Sequence, residues 1–184
     1  LTTTAESPAG AGLGGSSCLA VAIVRALIEA GNLAGGHSVS WNEYDVVEVI
    51  RDVETRIIRA PAGIQDYWGG VRGGLNVISF PPGRPRIYSE YGPLFEQLNK
   101  SVVLVYCGKS RDSAMNNLEI YNRFLQGDSS VVEALTAIGE IATKCAGSVM
   151  AGDFERTLQL SEQEWEMRKK LWPGVLTEET GAID

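Results

Sequence analysis

Apolar side chains recur at helical spacing through much of the chain, and this pattern predicts most of its secondary structure. The run at 16–30 is apolar almost all round and therefore predicts a helix buried in the core. Ser40 and Glu43 form a capping-box pattern that predicts the start of a second helix. The apolar stripe of this helix consists of Val46, Val47, Ile50, Val53 and Ile57. Further helices are predicted at about 112–125, 129–150 and 153–171.

Short β-rich or apolar segments predict strands at 1–5, 75–80 and 102–107. Between the second and the third of them, the sequence Pro-Pro-Gly-Arg-Pro at 81–85 breaks regular structure and marks the best domain boundary. We therefore predict a mixed α/β protein (an α+β two-layer fold). Its first domain is predicted at 1–85 and its second at 86–184.

Composition and charge restrict the kinds of partner. The 184 residues are 44% apolar and 21% charged, as in an ordinary globular protein, and the net charge of −7 argues against a nucleic-acid or anionic-membrane surface. We recognise no apolar run that approaches the roughly 20 residues of a membrane span. Cys18, Cys107 and Cys145 lie far apart in apolar segments, which predicts reduced, buried thiols in a cytoplasmic protein. His37 is predicted to lie in a surface loop because glycine and serine surround it.

The most informative segment is a glycine-rich run that leads directly into the first helix. Glycine lets the backbone approach an anion closely, and a helix start adds unpaired N–H groups and a positive dipole end. The run therefore predicts a phosphate-binding loop, whose final serines can contact a phosphate or its magnesium ion. Its predicted binding residues are Pro8, Gly10, Ala11, Gly12, Leu13, Gly14, Gly15, Ser16 and Ser17.

Other interpretations of this run fit less well. A flexible turn has the same composition and stays open for the run taken alone. Gly10, Gly12 and Gly15 match the dinucleotide-binding fingerprint, but no strand follows the helix as that fold requires. The run also approximates a P-loop, but Ser16 stands at the position of its lysine.

Two carboxylates are candidates for phosphoryl-transfer chemistry, which needs a magnesium ligand and a group near the acceptor hydroxyl. Glu54 lies at the margin of the stripe on the second helix, and a half-buried carboxylate usually has a partner. A local salt bridge to an arginine is the alternative role for Glu54. Asp66 lies among turn-forming residues, where an aspartate is commonly a helix cap or an Asx-turn.

Together these motifs resemble the GHMP family of small-molecule kinases (galacto-, homoserine, mevalonate and phosphomevalonate kinases). The family's loop, Pro-x-x-x-Gly-Leu-Gly-Ser-Ser, is matched at 8–17, except that Gly15 replaces the first serine. Glu54, then Gly-Ile-Gln-Asp at 63–66 and Gly-Gly-Leu-Asn at 73–76, follow in a consistent order. Two later segments are similar to the sugar-kinase branch that includes heptose-phosphate kinases. They are Cys-Gly-Lys-Ser-Arg-Asp at 107–112 and Trp-Glu-Met-Arg-Lys-Lys-Leu at 165–171.

The resemblance implies an ATP-dependent kinase that acts on a sugar or sugar phosphate, with ATP and Mg²⁺ as cofactors. It implies that residues 10–15 wrap the ATP phosphates and that Ser16 contacts a phosphate or the magnesium ion. Glu54 would ligate the magnesium, and Asp66 would accept or orient the proton of the sugar hydroxyl. Substrate contacts are implied for Gln65, Tyr67, Trp68 and Arg111, while core packing of the two aromatic rings and a solvent-facing position of Arg111 stay open.

The resemblance also implies a ribosomal-protein-like N-terminal part and a ferredoxin-like C-terminal part, with ATP bound between them. Family members have further segments before and after the matched region, so both parts are expected to be incomplete here. The activity of the isolated chain therefore stays open, as does a homodimer that covers exposed sheet edges. Two other functions also stay open: a non-catalytic protein that binds a nucleotide or sugar phosphate, and a kinase of a non-sugar alcohol such as mevalonate.

Overall fold

The structure is a computed structural model that describes residues 1–6, 8, 10–35, 40–106, 113–176 and 181. His37, Cys107 and Arg111, about which the sequence makes predictions, lie outside the described residues. The chain forms two compact units, one reaching Ser89 and the other beginning at Glu90. The domain boundary predicted after residue 85 stays a prediction.

The first unit packs three helices and a hairpin around one apolar cluster. The elements are α1 (Gly15–Gly35), α2 (Glu43–Ile58), α3 (Gln65–Arg72), β1 (Leu75–Ser79) and β2 (Arg86–Glu90). The two strands pair with each other, so the proline-rich segment at 81–85 is the connection of a hairpin. The buried cluster comprises Val21, Val46, Val47, Ile50, Tyr67, Trp68 and Val71.

Trp68 is the centre of this cluster and is held by an aromatic and a charged neighbour. The ring of Tyr44 meets it edge-on with centroids 4.9 Å apart. The guanidinium of Arg72 lies 5.5 Å from the centroid of the Trp68 ring and forms an ion pair with Glu43 at 2.6 Å. These contacts join α2 to α3 and fix how α3 lies in the unit.

The start of α2 differs from the predicted one. Asn42 is the N-cap: its side chain accepts a hydrogen bond from the N–H of Asp45 at 3.1 Å, and Asp45 accepts one from the N–H of Asn42 at 3.2 Å. The predicted capping box of Ser40 and Glu43 is therefore wrong, because the sequence carries two overlapping cap patterns and the second one is used. Glu43 is thereby available for its ion pair with Arg72.

Helix α1 is less buried than its composition predicts. Within it only Ser17 and Val21 are buried, while Leu27 is 56% exposed. The predicted core helix is therefore wrong for the described part of the chain, where α2 and α3 cover one side of α1 only. Cys18 is exposed as well, contrary to the predicted burial, and Cys145 is partly exposed.

The same helix bears on the expectation that the chain has no membrane-spanning run. Among the described residues, α1 is long and apolar enough to cross a membrane by length and composition, with a mean hydropathy of 1.6. The expectation that no such run exists is therefore wrong. A single helix of this kind near an N-terminus is a weak indication, since core helices of soluble proteins pass the same test.

Two of the predicted strands are absent. Residues 1–6 and 102–106 have no regular structure, whereas the strand predicted at 75–80 is confirmed as β1. Residues 102–106 nevertheless have the composition of a strand and expose a run of apolar side chains. That run is Val102, Val103, Leu104, Val105 and Tyr106. The apolar stripe of α2 also ends early, since Val53 and Ile57 are exposed.

The second unit is helical where it is described. Its helices are α4 (Pro93–Ser101), α5 (Ser113–Leu125), α6 (Ser129–Ala151) and α7 (Phe154–Leu171), followed by a 3₁₀ turn at Pro173–Val175. α6 and α7 form a hairpin in which Gly152 ends one helix with φ 70° and Asp153 caps the next. The mixed α/β class is confirmed, but the described residues after β2 form no strand that would belong to a ferredoxin-like sheet.

Asp128 is expected to make the stability of the second unit depend on pH. This N-cap of α6 accepts a hydrogen bond from the Ser130 hydroxyl at 2.7 Å and lies 2.8 Å from Arg123. These contacts lower the pKa of Asp128 from 3.8 to about 2. The carboxylate is therefore ionised more readily in the folded chain than in the unfolded one. Its stabilisation is complete above the unfolded pKa and is lost as the pH falls through the folded pKa.

The urea midpoint of unfolding of Asp128→Asn should accordingly lie below that of the wild type at neutral pH. The difference between the two midpoints should shrink below pH 3.8 and disappear only as the pH falls below about 2. A difference that stays constant over this range would show that the charge of Asp128 does not contribute.

Candidate functional site

The glycine-rich run forms a loop whose backbone requires glycine at alternate positions. Gly10, Gly12 and Gly14 have φ values of 72°, 74° and 66°, in the region that L side chains rarely adopt. The N–H of Ala11 donates to the carbonyl of Pro8 at 3.2 Å and closes the first turn of the loop. Backbone that alternates in this way can turn several N–H groups toward one anion.

The start of α1 continues this arrangement. Its first helical hydrogen bond runs from the N–H of Cys18 to the carbonyl of Gly14 at 2.9 Å. No backbone carbonyl among the described residues accepts a hydrogen bond from the N–H groups of residues 12–17, and those of residues 15–17 belong to the first turn of α1, at the positive end of its dipole. Ser16 is exposed there, while Ser17 is only 6% exposed. The loop and helix start can therefore bind a phosphate through backbone donors.

Asp66 lies directly beside this loop. A Cβ placed on Gly14 would be 3.3 Å from both Cβ and Cγ of Asp66 and 3.5 Å from its Oδ2. Asp66 belongs to the first turn of α3, its side chain is exposed, and the N-cap of α3 is Ile64. The carboxylate is therefore placed at the loop, and Asp66 is not the cap that a turn-forming context suggests.

The packing of α3 on α1 explains this position. Gly70 follows Asp66 by one helical turn and so lies on the same face of α3. A Cβ on Gly70 would be 3.3 Å from Cα of Cys18 and 3.3 Å from Cγ2 of Val21, which shows how closely the two helices approach. Arg25 of α1 also donates to the carbonyl of Val71 at 2.9 Å. The face of α3 that carries Asp66 is thus fixed against α1.

A matched pair of substitutions tests this packing. Gly69 is exposed, and a Cβ added to it would meet no atom within 4 Å, so Gly69→Leu should stabilise the fold by about 0.5–1 kcal/mol through helix propensity. Gly70→Leu gains the same propensity but forces α1 and α3 apart, and should destabilise the fold by about 1–3 kcal/mol. The free energy of unfolding in urea measures both changes. Equal effects of the two substitutions would rule out a tight contact at Gly70.

Glu54 is half-buried on α2, and its partner is a tyrosine. The hydroxyl of Tyr67 donates a hydrogen bond to Oε2 of Glu54. The structure thus gives Glu54 the partner that a half-buried carboxylate requires, but this partner is not the arginine considered from the sequence. Burial, followed by the hydrogen bond to Glu54 and its charge, raises the pKa of Tyr67 far above its usual range, so the phenol stays protonated as a donor.

The structure does not support all of the predicted substrate contacts. Tyr67 and Trp68 are both 0% exposed in the core of the first unit, so the structure shows the core packing that the sequence left open and contradicts a contact of their rings with a sugar. The adjacent aromatic pair packs inward because α3 uses it to anchor against α1 and α2. Gln65 is exposed at the start of α3 and lies against Gly63. Arg111 lies outside the described residues.

The side chains of the site could bind magnesium only if the phosphate groups of a bound ligand complete its coordination. Among the described residues, no group of three histidines, cysteines or carboxylates is placed to hold a metal ion. Mg²⁺ usually binds through one or two carboxylates, with water and substrate phosphates completing its shell. Asp66 is such a carboxylate at the loop, whose backbone donors supply the phosphate-binding part. Glu54 is a second carboxylate, connected to the residue after Asp66 through the Tyr67 hydroxyl.

Sequence reasoning missed α3 and what it does. The segment at 65–72 contains two glycines, a composition that favours a loop, yet the pair Tyr67 and Trp68 anchors it as a helix. A signal was present, because Asp66 and Gly70 are separated by one helical turn, and a small residue at that spacing permits close helix packing. The hydrogen bond between Tyr67 and Glu54 has no comparable signal in the sequence.

The first part of the chain is similar to a known protein family. Residues 1–74 match the family described as the GHMP kinases N terminal domain. The matched range includes the loop, Glu54, Asp66 and all of α3.

Individual relatives extend the similarity over most of the chain. The chain is 27% identical over 172 residues to the D-glycero-alpha-D-manno-heptose 7-phosphate kinase of Campylobacter jejuni. This similarity covers 92% of the chain and 48% of that protein. The chain is 25% identical to the bifunctional fucokinase/GDP-fucose pyrophosphorylase of Arabidopsis thaliana, covering 93% of this chain and 16% of that protein. It is 22% identical to glucuronokinase 1 of the same plant, covering 90% of this chain and 45% of that protein. The chain thus spans about half or less of the length of these relatives.

Proposed function

We propose that the protein transfers a phosphoryl group from ATP to a hydroxyl of a sugar or sugar phosphate, since residues 1–74 match the N-terminal domain of the GHMP kinases. The observation that carries the proposal is the position of the Asp66 carboxylate against Gly14 of the glycine loop. A loop that binds a triphosphate and a carboxylate that meets the acceptor hydroxyl must lie side by side for in-line transfer.

The loop, Ser16 and Asp66 have different roles in this reaction. The N–H groups of residues 12–17 and the start of α1 hold phosphate oxygens of ATP and stabilise their negative charge. Ser16, exposed at the helix start, offers a hydroxyl to the same phosphates. Asp66 orients the sugar hydroxyl and accepts its proton as the bond to phosphorus forms.

Magnesium fits this arrangement through Glu54, with ATP phosphates completing its coordination. When bound, Mg²⁺ would neutralise charge on the transferred phosphoryl group. Glu54 is suited to hold it because, among the described residues, its contact is the neutral hydroxyl of Tyr67 and no ion pair occupies its charge.

The sugar class of the acceptor is supported by the relatives. Their names describe a heptose 7-phosphate kinase, a fucokinase and a glucuronokinase, all of which act on a sugar or sugar derivative. We therefore propose a sugar or sugar phosphate as the acceptor, in preference to a non-sugar alcohol. We also propose a cytoplasmic location, which the unpaired thiols of Cys18 and Cys145 support.

A substrate panel tests the function. The natural protein that contains this chain would be incubated with ATP, Mg²⁺ and one acceptor at a time: heptose 7-phosphates, fucose, glucuronate, galactose, mevalonate and homoserine. ADP release coupled to formation of a phosphorylated sugar is the expected result. Turnover with mevalonate or homoserine alone would overturn the sugar class. Nucleotide binding without turnover of any acceptor would favour a non-catalytic binding protein.

A further inference from the structure

A hydrogen bond between two helices connects the carboxylate of Glu54 to the residue that follows Asp66. The hydroxyl of Tyr67 donates a hydrogen bond to Oε2 of Glu54, and the Tyr67 ring is fixed in the core with 0% of its surface exposed. The position of this hydroxyl is therefore set by packing and not by solvent. One of the two oxygens of Glu54 is held, and the rotation of its carboxylate is restricted.

A neutral acceptor would have satisfied the Tyr67 hydroxyl at a lower cost in free energy. A buried tyrosine needs a partner for its hydroxyl, and Tyr44 of the same unit finds one in the backbone carbonyl of Pro85 at 3.0 Å. Tyr67 uses a carboxylate instead, although partial burial of a charge is costly. Glu43 at the start of the same helix has its charge compensated by Arg72 at 2.6 Å, whereas among the described residues no lysine or arginine forms an ion pair with Glu54.

We propose that Tyr67 is a positioning residue, which holds Oε2 of Glu54 so that Oε1 and the charge of the carboxylate serve the magnesium ion of the bound nucleotide. This inference rests on the proposed function, because it requires a magnesium–nucleotide complex at the loop. It assigns to Tyr67 a role that differs from the sugar contact expected from the sequence, and it explains why a tyrosine hydroxyl is kept inside this core.

The test is a magnesium titration of nucleotide binding, which does not depend on turnover. The natural protein that contains this chain is titrated with adenylyl imidodiphosphate, a non-hydrolysable ATP analogue, at increasing Mg²⁺ concentrations. In Tyr67→Phe, which lacks only the hydroxyl, the Mg²⁺ concentration for half-maximal binding should rise about 10–100-fold. Nucleotide affinity at saturating Mg²⁺ should be unchanged. Tyr44→Phe is the matched control, since it loses one partly buried tyrosine hydrogen bond of the same unit and should keep the wild-type midpoint.

Glu54→Gln connects the effect to the carboxylate. It should raise the midpoint at least as much as Tyr67→Phe does, and the double variant should add little, because both changes act on one ligand. If Tyr67→Phe does not fold, Glu54→Asp replaces it, since the shorter side chain withdraws the carboxylate from the hydroxyl and keeps the charge. The same rise in midpoint is expected of it.

Failures of this inference and of the proposed function are distinguishable. A wild-type midpoint in Tyr67→Phe, or in Glu54→Gln, would overturn the inference, and sugar phosphorylation by the wild type would still stand. An equal rise in Tyr44→Phe would show that any loss in this core has the effect, and would also overturn the inference. A wild type that binds no nucleotide at any Mg²⁺ concentration would overturn both.

Discussion

Asp66→Asn should lower kcat for sugar phosphorylation by about 10²–10⁴-fold in the natural protein that contains this chain, and leave the affinity for ATP nearly unchanged. The amide has nearly the shape of the carboxylate but cannot accept the proton of the acceptor hydroxyl. Asp66 is exposed beside Gly14 in the first turn of a short helix, so the substitution disturbs no core contact. Steady-state kinetics with a saturating sugar, together with nucleotide binding by calorimetry, measures the two quantities separately.

Asp52→Asn is the control for this substitution. Asp52 lies on α2 of the same unit, is exposed, and pairs with Arg51 at 2.9 Å on the surface. Exposed ion pairs of this kind contribute little to stability, so the control should retain wild-type kcat. Comparable loss in both variants would indicate a general electrostatic effect, and full activity in Asp66→Asn would remove the base from the proposed mechanism.

Gly14→Ala should impair the site in two ways, by backbone strain and by a clash with Asp66, whereas Gly12→Ala should cause only the strain. Both residues have positive φ, 66° and 74°, so an alanine at either place costs about 1–2 kcal/mol in backbone strain. At Gly12 the new methyl group meets nothing within 4 Å. At Gly14 it lies 3.3 Å from Asp66, tighter than ordinary contact, and has to displace that side chain. Since misplacing a catalytic group by 1 Å can cost about 10²-fold, kcat of Gly14→Ala should fall at least about 10-fold below that of Gly12→Ala.

The two alanine variants should differ little in the melting temperature and clearly in kcat. Thermal unfolding and kinetics on the same preparations make this comparison. Equal kcat values would mean that the approach of Gly14 to Asp66 has no role in the reaction. A much lower melting temperature in one variant would instead assign its loss of activity to unfolding.

The features that depend only on a short stretch of sequence could be predicted. The loop at 8–17 follows from the conformational freedom of glycine, and its φ values at Gly10, Gly12 and Gly14 are those that exclude other residues. Helices with capped ends and long apolar periodicity, such as α6 and α7, begin and end within one or two residues of the prediction. The adjacency of Asp66 to the loop had to come from a family resemblance, since no local pattern joins positions 52 residues apart.

The burial of side chains and the ion pairing between helices that the sequence did not predict depend on packing between distant segments. The burial of Tyr67 and Trp68 depends on how α1 and α2 pack against α3, and the one-turn spacing of Asp66 and Gly70 is a weaker signal for that helix than its two glycines are for a loop. With Asn42 as the cap in place of Ser40, Glu43 pairs with Arg72 of another helix, a contact that the local cap pattern does not indicate. The exposed side of α1 reflects how much of it other described elements cover, which is not a property of its own composition.

The run at 102–106 has a consequence for handling the isolated chain. Five consecutive β-branched, aliphatic and aromatic side chains without a charge make a segment that pairs readily with a copy of itself. Such self-association grows with protein concentration and removes competent molecules from solution. Dilute samples of the isolated chain should therefore bind more nucleotide per molecule than concentrated ones.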